Sequence, residues 1–252
     1  MNFTILRFDT IGSTNTEALN QAKQGAEEGL CIVAGEQTAG RGRHGRTWVS
    51  ARDAGLYFSI VLRPKIEIKF LPLLTLMSAV VVTEVLRELY RLQADIKWVN
   101  DVHLEGKKIC GILAETAETK KGLAVVVGIG INLTSANFPP ELNEIATSIE
   151  AETGAKPNAE DILQNLTKQF AKFYDIFSGE NGAVKIREEW AKNSSYFFGK
   201  SVRVRLANET IFGKTCGIEE NGALRVKTDA GEIKIVQAGD VEMLRKTQEI
   251  KN

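Results

Sequence analysis

The sequence predicts an α+β fold in which a mixed, mainly antiparallel sheet is flanked by helices and followed by a small β-barrel. Three observations predict it. Between residues 95 and 133 three strand-like runs are separated by tight turns, the pattern of an antiparallel meander. Residues 70–92 and 159–174 carry apolar side chains at helical spacing. Beyond about residue 195 the chain becomes short alternating runs separated by Asn-Gly and Ala-Gly turns, which suits a barrel.

In chain order, Met1 to Asp9 alternates like a first strand and lacks the basic region and apolar core of a signal peptide. Thr14 and Glu17 form a capping-box pattern that opens a helix through Ala18, Leu19 and Ala22. Cys31 to Ala34 and Leu56 to Leu62 are strand-like, and the segment between them joins two strands. Phe70 to Leu92 reads as a long, deeply packed helix. Asp95 to Val102 reads as one strand ending in polar residues, Leu104 to Lys107 as a turn, and Lys108 to Glu115 as the next strand. Lys121-Gly122 turns the chain into the very apolar run Leu123 to Leu133. Ala159 to Tyr174 is an amphipathic helix, Val184 to Lys192 is a second helical run carrying Trp190, and the barrel strands centre on Val202, Ile211, Ala223 and Ile233.

The chain has 252 residues, enough for one large domain or one large and one small. Its 32 basic and 32 acidic side chains cancel, so no global charge invites nucleic acid or an anionic membrane, and any anion selectivity must be local. Cys31, Cys110 and Cys216 are isolated and odd in number, which fits a reducing cytoplasm rather than a disulfide framework. With only His44 and His103, no Cys/His cluster exists for a structural zinc site. No apolar stretch is expected to approach the roughly 20 residues that span a bilayer. The expectation is a cytoplasmic protein without membrane or nucleic-acid partners.

The segment Gly40-Arg-Gly-Arg-His-Gly-Arg46 is the chemical focus. Gly40, Gly42 and Gly45 permit positive φ and close approach of main-chain N–H groups, while Arg41, Arg43 and Arg46 offer planar forks to carboxylates and phosphates. The glycines also satisfy G-x-G-x-x-G, but that motif must open a helix, and here Trp48 and a β-rich run follow. A disordered Arg/Gly tract would repeat, and this segment is single. A plain surface turn would not need so many arginines.

Further polar residues are poorly explained by packing. Ser13 and Asn15 flank a helix N-terminus, where small hydroxyl and amide groups can hold a polar ligand. Lys97, Asn100 and Asp101 cluster at a strand end, Lys108 starts the next strand, and Asn132 interrupts an apolar one; singly each also reads as an edge charge or turn-former. Gly128 and Gly130 within a strand point to a close approach or a bulge.

Taken together, Ser13-Thr-Asn15, Gln37 to Trp48, Lys97-Trp-Val-Asn-Asp101, Lys107 to Leu113 and Gly128-Ile-Gly-Ile-Asn132 resemble the biotin-protein ligases in order and spacing over nearly the whole chain. The resemblance implies the class II aminoacyl-tRNA synthetase-like catalytic fold over residues 1–195 and an SH3-like barrel over residues 196–252. It also implies the short class, lacking the winged DNA-binding domain that makes some members repressors, and a homodimer, which the family often forms. Two positions depart from the pattern: Val99 stands where proline is usual, and His44 where arginine is frequent.

The implied reaction joins biotin to ATP as biotinyl-5'-AMP, then moves biotin to a lysine of a biotin carboxyl carrier protein. By resemblance Ser13, Thr14, Asn15, Gln37, Gly40, Arg41, Gly42, Arg43, Lys108 and Gly111 hold biotin, with Lys108 and Arg43 catalytic. Arg46, Trp48, Lys97, Asn100, Asp101 and Asn132 lie towards ATP, with Mg²⁺ carried by its phosphates and Asp101 the candidate protein ligand. A lipoate or octanoate ligase of the same superfamily, and a non-catalytic anion- or RNA-binding module, are the alternatives.

Overall fold

A computed structural model describes residues 1–136, 138–206 and 208–243. Seven strands, β1 (Thr4–Ile11), β2 (Leu30–Gln37), β3 (Gly55–Leu62), β4 (Asp95–Lys97), β5 (Asp101–Leu104), β6 (Lys107–Thr119) and β7 (Gly122–Asn132), form one sheet in the order β1-β2-β3-β7-β6-β5-β4. Helix α1 (Thr14–Lys23) is the crossover that lets β1 and β2 run parallel, and every other neighbouring pair is antiparallel. The sheet is mixed and mainly antiparallel, as expected.

The period-two alternation of strands divides the sheet into two faces. Leu30, Ile32, Val61, Ala124 and Val126 pack under Ala18 and Ala22 of α1, whose small side chains let the helix sit close. The alternate residues, including Val33, Phe58, Ile60 and Val127, join the larger core formed with α2 (Leu73–Tyr90), α4 (Ala159–Ser178) and α5 (Gly182–Lys192). A short α3 (Ile149–Thr153) precedes α4 and was not anticipated from sequence. Buried on both sides, β3 reads as an apolar run with one exception, Ser59, which is fully buried on the α1 face.

The second unit is a small antiparallel sheet of β8 (Phe198–Arg205), β9 (Thr210–Ile218), β10 (Leu224–Lys227), β11 (Ile233–Val236) and β12 (Asp240–Met243), in the order β11-β10-β9-β8-β12. The anticipated strands are there, and β12 was missed. The tail of the expected barrel, residues 244–252, lies outside the described residues. The two units meet where Trp98 Nε1 donates to the carbonyl of Gly222 at 2.9 Å. That docking brings β12 to the glycine-arginine loop.

Four local expectations are corrected. The helix cap is Ser13, whose Oγ receives the Thr16 N–H at 3.5 Å, so the capping box does not form on Thr14; Glu17 instead accepts from Gln21 at 2.7 Å. Asp95 to Val102 is a hairpin rather than one strand, because Trp98, Val99 and Asn100 turn the chain between β4 and β5. Of the three loop glycines only Gly45 has positive φ, at 73°; a Cβ on Gly40 would come 2.4 Å from the Trp48 carbonyl, so close approach is its reason. Lastly, Ile68–Tyr90 is long and apolar enough to cross a membrane by length and composition. Its apolar side chains between Leu73 and Leu86 are instead buried against the sheet, α4 and α5, where each of the larger ones stabilises the fold by roughly 1.5–3 kcal/mol relative to exposure.

Candidate active site

The cleft opens where α1 begins and the α1 face of the sheet is left uncovered. Cross-strand register sets its floor: Tyr57 of β3, Gly130 of β7, Gly111 of β6 and Asp101 of β5 lie side by side in one row. The two central glycines leave a gap, and the Trp48 ring fills it. A Cβ on Gly130 would approach that ring to 2.6 Å and one on Gly111 to 2.8 Å. In the next row, Ser59 pairs with Gly128, which pairs with Leu113, and Asn15 packs over Gly128 so closely that a Cβ there would lie 2.1 Å from Asn15 Oδ1. The close approach inferred for Gly128 and Gly130 is therefore made by the protein's own side chains.

At the α1 end the polar groups form a connected set. The Thr14 N–H and hydroxyl donate to Gln37 Oε1 at 2.8 and 3.1 Å, and Gln37 Nε2 donates to Ser50 Oγ at 2.8 Å. Ser59 Oγ lies 2.7 Å from both Thr14 Oγ1 and Asn15 Oδ1. Asn15 Nδ2 donates to the Leu113 carbonyl at 3.1 Å and to Glu115 Oε2 at 2.9 Å. Thr14 and Asn15 are buried within this set, and Ser13 is buried beside it as the α1 cap, so their positions are fixed before any ligand arrives.

The other end is cationic. Lys108 Nζ stands 2.7 Å from Asp101 Oδ1 and 5.2 Å from the centre of the Trp48 ring. Burial alone would raise the Asp101 carboxyl, but the neighbouring His103 ring, 4.0 Å away, and the Lys108 ammonium outweigh it and hold the group at about 2. The Lys108 backbone is pinned on both sides, its N–H donating to the Ile145 carbonyl and its carbonyl accepting from Thr147 N–H at 2.8 and 2.9 Å.

The glycine-arginine loop folds over this cleft as a hairpin, with Trp48 N–H donating to the Gly40 carbonyl and Gly42 N–H to the Arg46 carbonyl at 3.0 and 2.7 Å. His44 turns its tip with a φ of 56°. Each arginine is held by a different element: Arg41 by Glu115 of β6 at 2.6 Å, Arg43 by Asn100 Oδ1 at 3.0 Å, and Arg46 by Asp240 of β12. Burial pulls the Arg43 guanidinium below its ordinary value, opposed by the charges of Asp240 and Asp101.

The open space of the cleft is about 800 Å³, solvent mouth included. It is lined by Ser13, Thr14, Asn15, Gln37, Arg41, Gly42, Arg43, Arg46, Trp48, Asn100, Asp101, Lys108 and Gly111, which brings together most of the residues singled out from sequence. Three are placed elsewhere. Gly40 faces the space beneath the loop, and Lys97 faces an adjoining cavity with Arg43, Arg46, Asp101, Asp240 and Glu242. Asn132 is buried, and its amide donates to the carbonyls of Lys108 and Thr147 at 3.3 and 2.9 Å, so it supports the Lys108 backbone from behind.

A family model described as biotin/lipoate A/B protein ligase matches residues 8–132, and one described as the biotin protein ligase C terminal domain matches residues 197–244. The bifunctional ligase/repressor BirA of Bacillus subtilis is 37% identical over 242 residues, covering 95% of this chain and 74% of the relative. The chain belongs to the biotin/lipoate A/B protein ligase family. Within that family, the biotin acetyl-CoA-carboxylase ligase of Mycobacterium tuberculosis is 32% identical, with 93% of this chain and 86% of the relative covered. Among solved structures, a biotin protein ligase from Aquifex aeolicus in complex with biotin and ATP superimposes with a TM-score of 0.82 at 30% identity, over 96% of this chain and 99% of that one.

Sequence reasoning missed Ser59, Glu115 and Asp240 in this family member. Ser59 left a signal, the single hydroxyl in an otherwise apolar strand. Glu115 and Asp240 left none, since only strand register and domain docking bring them to the loop.

Proposed function

We propose that this protein is an ATP-dependent biotin protein ligase. One observation carries the reading. A single cleft joins a neutral polar end, built on Thr14, Asn15, Gln37 and Ser59, to a cationic end built on Lys108, Arg43 and Arg46. A ligand with a ureido-like polar head and a carboxylate tail suits the first, and a nucleoside triphosphate suits the second.

In the first half-reaction a biotin carboxylate oxygen attacks the α-phosphorus of ATP, and the bond to the bridging β-oxygen breaks. Pyrophosphate leaves and biotinyl-5'-AMP forms. Two anions must be brought together, and Lys108 is placed to stand between them and offset the charge that gathers as they meet. Arg43 assists from the loop, and Trp48 offers its face to a flat nucleobase. In the second half-reaction a lysine amine of a carrier protein attacks the acyl carbon, an amide forms, the amine loses its proton, and AMP leaves.

Among the described residues no group of three His, Cys, Asp or Glu side chains could enclose a metal ion. Asp101 lines both the cleft and the cavity beside its cationic end, where it is the carboxylate placed to meet a Mg²⁺ that arrives on phosphate oxygens. Two further readings belong here: a cytoplasmic location, supported by three free cysteines among the described residues, and a homodimer formed through the exposed edge strand β1.

The test supplies ATP with biotin or lipoic acid and follows pyrophosphate. Release with biotin alone supports the reading; release only with lipoic acid assigns the chain to the other branch of its family.

A further inference from the structure

A second cavity lies beneath the glycine-arginine loop, walled by residues 38–47 together with Leu113 and Glu115. Arg41, Arg43 and Arg46 place three permanent cations in that wall, and among the described residues lining it Glu115 is the one carboxylate. The pleat of β6 puts Glu115 on the same face as Gly111 and Leu113, two steps beyond the cleft floor. Its Oε2 accepts from Arg41 at 2.6 Å and from Asn15 Nδ2 at 2.9 Å. One oxygen thus joins the loop to the residue that roofs Gly128 and meets Ser59. Glu115 does not line the cleft itself, so it acts through these two neighbours.

The three arginines are also held unequally. Arg41 and Arg46 have carboxylate partners, Glu115 and Asp240, whereas Arg43 has the neutral oxygen of Asn100. Both ends of the loop are therefore anchored by charge, and the middle arginine is left for an incoming anion. We propose that Glu115 is a positioning residue that fastens the loop to the cleft floor and so slows ligand escape, a role that rests on the ligase reading above.

The experiment measures biotin dissociation by stopped-flow tryptophan fluorescence, alongside pyrophosphate release at saturating biotin and ATP. Glu115→Gln keeps an acceptor for Asn15 and loses the charge that holds Arg41; Glu115→Asp keeps the charge on a shorter arm. Glu115→Gln should speed dissociation by about fivefold, the scale of a partly exposed ion pair, while saturated pyrophosphate release changes by less. Arg41→Gln should speed dissociation similarly, the double variant should be no faster than either single one, and Glu115→Asp should recover part of the loss. Parental dissociation in Glu115→Gln, or single effects that multiply in the double variant, would overturn the role while leaving the ligase reading intact. A parent chain that binds no biotin overturns both.

Discussion

Lys108 Nζ and Asp101 Oδ1 face each other at 2.7 Å across the β5–β6 pair, where a register shift after Val102 brings the lysine back towards the row of the cleft floor. The lysine is thus aimed by an anion that substrate groups can replace. Lys108→Ala should slow pyrophosphate release at least about a hundredfold, since losing one transition-state electrostatic donor costs roughly 3 kcal/mol. Single-turnover pyrophosphate release checks it, and a near-parental rate from the folded variant contradicts the assignment.

The same pair sets a pH dependence. The Asp101 carboxyl is lowered from 3.8 to about 2, so its contribution to stability is fully present above pH 4 and is lost as pH falls through 2. A depression of this size corresponds to about 2 kcal/mol. Denaturant unfolding should show Asp101→Asn less stable than the parent by that order at neutral pH, with the gap closing towards pH 2. A gap that widens on acidification would mean the carboxyl is not held in its charged form.

The glycine rows give a steric prediction. A methyl group on Gly128 would meet Asn15 Oδ1 at 2.1 Å, and one on Gly130 would meet the Trp48 ring at 2.6 Å. Overpacking of this kind costs about 1–3 kcal/mol, so Gly128→Ala should weaken biotin binding about tenfold and Gly130→Ala should weaken nucleotide binding by a similar factor. Calorimetric titration with each ligand separates the two, and equal loss of both ligands in both variants would contradict the division of the cleft.

Much of this site was legible because permanent charge in a strand-joining segment has few structural uses. Arg41, Arg43 and Arg46 stand out for that reason, and the structure gathers them with Lys108, legible only in company as a charge at a strand start, around one cleft. Asn132 was equally visible as a polar residue in an apolar strand, but its side-chain direction depends on the fold around Thr147, and it turns to the Lys108 backbone. Asp95 to Val102 looked like one strand because alternation does not reveal a turn made of Trp98, Val99 and Asn100. Helix α2 was located correctly, whereas its capacity to span a membrane by composition was underestimated, since a fully buried core helix and a spanning helix share that composition.

Among the described residues the hydrogen-bond partner of the Arg43 side chain is the neutral Asn100, which makes Arg43 the loop's contact for a bound anion. Replacing it by glycine should leave Lys108 chemistry largely in place while the adenylate escapes sooner. Mass spectrometry of bystander proteins should then find biotin on exposed lysines, together with faster loss of adenylate from the enzyme. Unchanged retention with no bystander labelling would mean that the loop does not act as a lid.

The most direct measurement incubates the purified chain with ATP, Mg²⁺, biotin and a biotin carboxyl carrier domain, following pyrophosphate and the mass of the carrier. The account predicts biotin-dependent pyrophosphate release and a carrier heavier by one biotinyl group on a single lysine, with both signals abolished in Lys108→Ala. Pyrophosphate release that does not depend on biotin, or a carrier left unmodified by a chain that binds both substrates, would contradict it.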